Sequence, residues 1–158
     1  MGVQGVRRRV RGRAVLPRTP VHYRREPVEN FVVVAAIIER DNSFLLTLRA
    51  PGTHLAGHWE FPGGKCHPAE THREALRREL HEELDIVAEV GACVFQVTHD
   101  YGDRAVSLYF YQCTFEGDPK PMVGQEMAWI ARTELPTLPF PEADRALIEH
   151  LSGGPQSD

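Results

Sequence analysis

The sequence lacks any run of 18 apolar residues, so it offers no helix able to cross a bilayer. Cysteine is scarce: Cys66, Cys93 and Cys113 are odd in number and form no CxxC pair. That argues against both a disulfide framework and a structural zinc site, and makes a reducing, cytoplasmic setting the expectation. The first 29 residues have no apolar h-region and do not read as a secretory signal. No internal repeat is present. A chain of 158 residues suffices for one domain with its own core and is too short for two. Its 42% apolar and 25% charged content is that of an ordinary globular protein.

Positive charge is also missing from most of the chain. Eight of the 18 basic residues (Arg7, Arg8, Arg9, Arg11, Arg13, Arg18, Arg24 and Arg25) lie within residues 1–29, leaving 10 basic against 20 acidic residues in the remainder. So acidic a body does not suit a binder of duplex nucleic acid, whose surface must neutralise phosphates. It does suit a protein that concentrates carboxylates around metal ions. The basic leader has neither a 3.6 nor a 2.0 period and reads as a disordered extension over residues 1–29. Residues 30–152 read as one α+β domain and 153–158 as a tail.

What is present is a clear succession of elements. Phe31 to Ile38 is a β-branched run of buried-strand type, and Phe44 to Leu48 follows the turn signal Asp41-Asn42. Trp59-Glu60-Phe61 predicts a short strand ended by Pro62-Gly63-Gly64. A helix is predicted over Pro68 to Leu84, with proline near its first turn. Strand patterns return at Cys93–Thr98, Ala105–Phe115 and Ala128–Ile130, and a last helix is predicted over Glu142 to Leu151.

The chemistry concentrates on the Pro68–Leu84 helix. At about 100° per residue, Leu76, Leu80 and Leu84 fall at roughly 0°, 40° and 80° and form a core stripe. Glu79, Glu82 and Glu83 fall near roughly 300°, 240° and 340°, along the edge of that stripe where a groove can run. Glu74, Arg78 and His81 fall opposite the leucines and are expected in solvent. Three like charges so close repel one another, a cost normally offset by a cation or by protonation. Hard oxygen donors at this density suit Mg²⁺, or Mn²⁺ in its place.

Gly64, Glu70 and Arg78-Glu79-Leu80-His81-Glu82-Glu83-Leu84-Asp85-Ile86 together resemble the Nudix box, Gx5Ex7REUxEExGU with U apolar. One fixed position departs: Asp85 stands where the pattern has glycine. That glycine ends the helix in a left-handed conformation, which Asp tolerates better than most residues. The resemblance implies the Nudix fold, a mixed β-sheet sandwiched between helices (α/β/α), and hydrolysis of a nucleoside diphosphate linked to another group. It further implies that Glu79, Glu82 and Glu83 bind divalent cations, that Glu79 acts as base, and that Glu70 orients Arg78. Gly63 and Gly64 let the phosphates approach the backbone.

Beyond the box, Gly57-His58-Trp59-Glu60-Phe61-Pro62-Gly63-Gly64-Lys65 resembles the lead-in of the MutT branch, the nucleoside triphosphate pyrophosphohydrolases that clear damaged nucleotides. In that likeness Arg49, His54, Lys65 and Arg104 lie near the phosphates and nucleoside, and Phe61 belongs to the core. Where MutT has a further glutamate ligand this chain has Val123, and Glu126 is the candidate replacement. Where MutT reads guanine with an asparagine this chain has Asp144, as do MutT-like CTP pyrophosphohydrolases. An ionised Asp only accepts hydrogen bonds, so it favours an exocyclic amino group unless it is protonated. The expected partner is a nucleotide, 8-oxo-dGTP or a modified cytidine triphosphate, with no duplex nucleic acid and no membrane, in a monomer or homodimer. Two other functions are weighed beside it: cleavage of a dinucleotide or sugar nucleotide such as ADP-ribose or NADH, and a nucleotide sensor without catalysis.

Overall fold

The computed structural model describes residues 29–153. The expected basic extension therefore lies outside the described residues except for Glu29, which already belongs to the first strand, and of the expected tail only Gly153 is described. Strand β1 (Glu29–Ile37) runs through the middle of a mixed four-stranded sheet with β5 (Gly63–Lys65), β7 (Arg104–Glu116) and β6 (Val87–Asp100), in the order β5-β1-β7-β6. It pairs antiparallel with β5 and parallel with β7. A second, antiparallel sheet joins β2 (Glu39–Arg40), β3 (Ser43–Leu48) and β4 (Trp59–Glu60), with β8 (Glu126–Ala131) on the other side of β3.

The continuous apolar run in β1 has a simple cause, since a strand covered on both faces needs no polar alternation. Val34, Ala36 and Ile38 pack with Leu76, Leu80 and Leu84 of helix α1 (His72–Leu84). Ala35 and Ile37 pack on the opposite side with Leu147 and Ile148 of helix α2 (Arg145–Ser152). This is the expected sandwich. All three leucines of α1 are fully buried, each contributing roughly 1.5–3 kcal/mol by the usual burial scale.

Helix α1 begins later than its sequence suggests, at His72 rather than Pro68. Thr71 is its N-cap, its hydroxyl accepting from the Glu74 N–H while the Glu74 carboxylate accepts from the Thr71 N–H. Such a reciprocal box is worth about 1 kcal/mol, and it fixes the start that proline alone did not. Two strands also differ from expectation. Gly63–Lys65 is paired to β1 although glycine disfavours strands, because the backbone of β1 offers the partner groups. Strand β6 begins at Val87, not Cys93, with irregular register between Val90 and Phe95. There Arg73 of α1 donates to the carbonyls of Val90 and Gly91.

After β8 come two 3-10 turns, Arg132–Thr137 and Glu142–Asp144. Expected as helix from Glu142, this segment becomes α-helical only at Arg145, which leaves Asp144 at the junction. The proline-rich stretch before it is fastened to β4, where the Trp59 N–H donates to the Pro139 carbonyl at 2.8 Å and Phe61 stacks on Phe140 at 6.0 Å. Among the described residues no helix is long and apolar enough to cross a membrane.

Candidate active site

Helix α1 lies beside β5, and their contact makes the centre of the site. Gly64 sits directly under Glu79: a Cβ there would come within 2.5 Å of Glu79 Oε1. A Cβ on Gly63 would overlap the Val34 carbonyl oxygen. At Gly63 a side chain would meet fixed backbone, and at Gly64 it would displace the Glu79 carboxylate, so bare backbone faces the glutamates of the helix. The Gly63 N–H donates to the Glu83 carboxyl.

Arg78 organises the surroundings. Its Nε donates to Glu70 Oε2 at 2.7 Å and its two terminal nitrogens to Glu70 Oε1 at 3.0 Å, the Lys65 carbonyl at 3.0 Å and Glu79 Oε1 at 3.0 Å. Glu82 Oε2 stands 3.4 Å from the same guanidinium. The helical angle alone puts Arg78 in solvent, and that is corrected: loop 66–71 folds over that side of the helix, and the guanidinium, bonded to Glu70 and the Lys65 carbonyl, braces it as the resemblance implies. A planar fork with several rigid donors suits that role. The hydrogen bonds from Arg78, then the one from the His67 N–H, pull Glu70 down to about 2, and the same bonds raise Arg78.

Glu83 behaves oppositely. Burial, then the charges of Glu79 and Glu60, push its carboxyl up to about 8, against the opposing bond from Gly63. Carboxylates that strain against one another in this way fit a divalent cation, which would relieve their repulsion. Glu79, Glu82 and Glu83 are the candidates to hold it, although among the described residues no group of three such side chains stands arranged to hold a metal ion. Glu82 is 55% exposed and turned towards Arg78, while Glu79 and Glu83 face β5. Glu126 lies at the start of β8, exposed and paired in register with Leu48. No hydrogen bond or ion pair among the described residues joins it to the helix glutamates, and Val123 is exposed.

The carboxylate outside the helix that acts on Glu83 is Glu60, to which the sequence assigns a short strand and a place in the MutT-like lead-in but no role at the site. Glu60 accepts from Arg49 Nε at 2.9 Å, and its charge reaches both Glu83 and Asp144. It is therefore the one acid whose charge bears on both Glu83 and the candidate base reader among the described residues. The signal that points towards it is its place in the lead-in, two residues ahead of Pro62 and three ahead of the glycine pair. Arg49 also donates to the His54 carbonyl at 2.7 Å, closing the loop 50–57, so Arg49 and His54 are brought together while the His54 side chain is exposed.

Asp144 is only 6% exposed. It occupies the N-cap of α2 yet its carboxyl makes no cap bond, unusual for a residue so suited to capping. Burial, then the charge of Glu60, raises it from the ordinary 3.8 to about 7. Phe61 is core, in edge contact with Phe44 and Phe110. The Lys65 ammonium lies 4.5 Å over the Phe31 ring. Arg104, at the turn of the β6–β7 hairpin, stacks over Tyr101 at 5.4 Å, and no hydrogen bond or ion pair joins it to Asp144 among the described residues.

The site can be set beside known proteins. The NUDIX domain model matches residues 33–150. The CTP pyrophosphohydrolase of Escherichia coli is 41% identical over 118 residues, covering 74% of this chain and 87% of that protein. The 8-oxo-dGTP diphosphatase of the same organism is 32% identical over 121 residues, covering 76% of this chain and 94% of that one. Among solved structures, the E. coli ORF135 protein superposes with a TM-score of 0.73 at 37% identity, covering 83% of this chain and 96% of its own.

Proposed function

The chain belongs to the NUDIX-domain family, and from that membership and the braced glutamates of α1 we propose that it hydrolyses a modified nucleoside triphosphate to the monophosphate and pyrophosphate, using Mg²⁺ or Mn²⁺. The unit assigned to this task is residues 30–152, acting in a reducing cytoplasm as a monomer or homodimer. A divalent cation held by Glu79, Glu82 and Glu83 would supply the charge that polarises the phosphoryl oxygens and acidifies the attacking water. The rest falls to the chain itself. Arg78, pinned by Glu70, fixes Glu79, which we assign as the base that takes the proton from water. Gly63 and Gly64 admit the phosphates beside it, and Arg49 and Lys65 supply cationic partners for them. Arg104 and His54 are assigned to the nucleoside.

Asp144 carries the choice of substrate. With its carboxyl near half protonation at neutral pH, it offers both a hydroxyl donor and an acceptor. Those two groups match the ring nitrogen and exocyclic amino group of cytosine. The 41% identity to a CTP pyrophosphohydrolase supports the same choice, so a modified cytidine triphosphate is the first assignment. Oxidised guanine, as in 8-oxo-dGTP, is the second, supported by the likeness to 8-oxo-dGTP diphosphatase and by the ability of the ionised carboxylate to accept from the guanine N–H groups. Incubation with normal and modified (d)NTPs and Mg²⁺, followed by separation of pyrophosphate from phosphate, tests the proposal. Pyrophosphate release, fastest on a cytidine substrate, is expected. No turnover across the panel would exclude the enzyme class, and faster cleavage of ADP-ribose, NADH or a diadenosine polyphosphate would move the assignment to another branch.

A further inference from the structure

The loop between β7 and β8, residues 117–125, is sewn onto the C-terminal end of α1, the end that carries Glu82 and Glu83. A helix ends with unpaired carbonyls that need donors from elsewhere. Here the Lys120 N–H donates to the Leu84 carbonyl at 2.9 Å and the Met122 N–H to the Glu83 carbonyl at 2.9 Å. The Glu83 carbonyl has a second donor, Gln125 Nε2 at 3.0 Å. The other end of the same amide accepts from the Val123 N–H at 2.9 Å. Gln125 thus makes one bond as donor to the helix and one as acceptor from the loop, and both lie at Glu83 or at the residue next to its other donor.

We propose that Gln125 is a positioning residue for the cation site: it holds the backbone of Glu83 so that the carboxyl stays against Gly63 and Glu79. Two features argue that the position needs an amide. A glutamate would place a carboxylate against the Glu83 carbonyl, two acceptors with no hydrogen between them, and would add negative charge at a helix C-terminus, where it is disfavoured. An apolar side chain of the same length would leave the Val123 N–H without its acceptor. The helix's own cap is spent on an earlier carbonyl: Asp85 takes the left-handed position at φ 55° and its N–H donates to the His81 carbonyl, which leaves the Glu83 carbonyl to the loop. Val123 in that loop is 61% exposed and carries no carboxylate, and the hydrogen bonds by which the loop reaches α1 go to the carbonyls of Glu83 and Leu84.

This inference rests on the reading of Glu83 as a cation ligand, and the test separates the two. Mn²⁺ binding to the full chain is measured by electron paramagnetic resonance, alongside the Mg²⁺ concentration for half-maximal turnover and the Tm of cation-free protein. The variants are Gln125→Glu, Gln125→Met, Glu83→Gln and Arg132→Met. Arg132 bonds Asn42, Glu39 and the Leu151 carbonyl and touches neither α1 nor the loop, so it reports on lost stability alone. Both Gln125 variants are expected to weaken Mn²⁺ binding about tenfold and raise the Mg²⁺ requirement in parallel. Turnover at saturating Mg²⁺ should stay within about threefold, while Arg132→Met lowers Tm and leaves Mn²⁺ binding unchanged. Unchanged Mn²⁺ binding in the Gln125 variants, with Glu83→Gln strongly impaired, would overturn the positioning role and leave Glu83 a ligand. Unchanged binding in Glu83→Gln would overturn the ligand reading first. Equal weakening in Arg132→Met would reduce Gln125 to a general stabiliser and overturn the proposal.

Discussion

At the proposed phosphate end of the site, charged side chains hold one another; at the proposed base end, one carboxyl is held by burial. Around Arg78 five oxygens (two from Glu70 and one each from Lys65, Glu79 and Glu82) meet a single guanidinium. No one of these contacts decides the geometry. Asp144 has no such network. It sits where a helix cap would be, makes no cap bond, and its nearest charged influence is another acid, Glu60. The contrast teaches where the molecule is free to change: the proposed reacting end is over-determined, whereas the proposed base choice rests on a carboxyl that has no cap bond to lose.

Removing the base should produce the largest effect. Glu79→Gln keeps the contact with Arg78 through its carbonyl oxygen but cannot take a proton, and kcat is expected to fall by at least about 10², measured as pyrophosphate released under saturating substrate and cation. A rate within about threefold of the wild type would show that another group is the base. Next in size is Gly64→Ala. The added methyl meets the Glu79 carboxylate, which must swing away, so kcat should drop by about tenfold to a hundredfold. The displaced atoms are the far end of a flexible side chain, so Tm should hardly move. Loss of Tm with activity intact would mean that β5, not Glu79, absorbs the clash.

At the base end the predicted effects are on selectivity and on pH. The folded-state pKa of Asp144 is raised, so its contribution favours folding fully below about 4 and is lost as pH rises through about 7. The rise from 3.8 to about 7 sets a ceiling of about 4 kcal/mol on that loss. Asp144→Asn removes the titration. Its Tm relative to wild type should therefore be near zero at pH 4, climb through the interval and level off above pH 7. In parallel the ratio of kcat/KM for cytidine over guanosine substrates should fall about tenfold, since an amide also serves guanine. A flat Tm difference across pH would show that the carboxyl is solvated, and an unchanged ratio would show that another residue reads the base.

The same contrast explains what could be read in the sequence. The phosphate end was legible because its determinants lie within one helix and its lead-in: the leucine stripe, the glutamates beside it and the glycine pair are local spacings. The sandwich was legible for a related reason, since the unbroken apolar run of β1 is what a strand covered on both faces requires. Glu60 was not legible. It interacts with Glu83, Arg49 and Asp144, residues separated from it by between 11 and 84 positions, and only the fold brings them together. Arg78 was placed in solvent by its helical angle because an angle cannot show that loop 66–71 covers that face. The start of α1 was missed for a smaller reason, the pull of Pro68 against a capping box at Thr71 and Glu74 that is present in the sequence.

The smallest predicted effect concerns the one fixed position where the chain leaves the box pattern. Asp85 adopts φ 55° and ψ 40°, and its N–H donates to the His81 carbonyl at 3.1 Å, so the helix still ends in a left-handed cap. A side chain in that region costs about 1 kcal/mol or more for most residues, less for Asp. Against this, glycine gains conformational freedom in the unfolded chain worth about 0.4–1 kcal/mol. The two nearly cancel, so Asp85→Gly should change Tm by no more than about 3 °C in either direction, and kcat should stay as it is because neither Glu82 nor Glu83 moves. A larger gain in Tm, accompanied by tighter Mn²⁺ binding, would show that the strain at Asp85 reaches Glu83 and that the phosphate end is less completely determined than its hydrogen bonds imply.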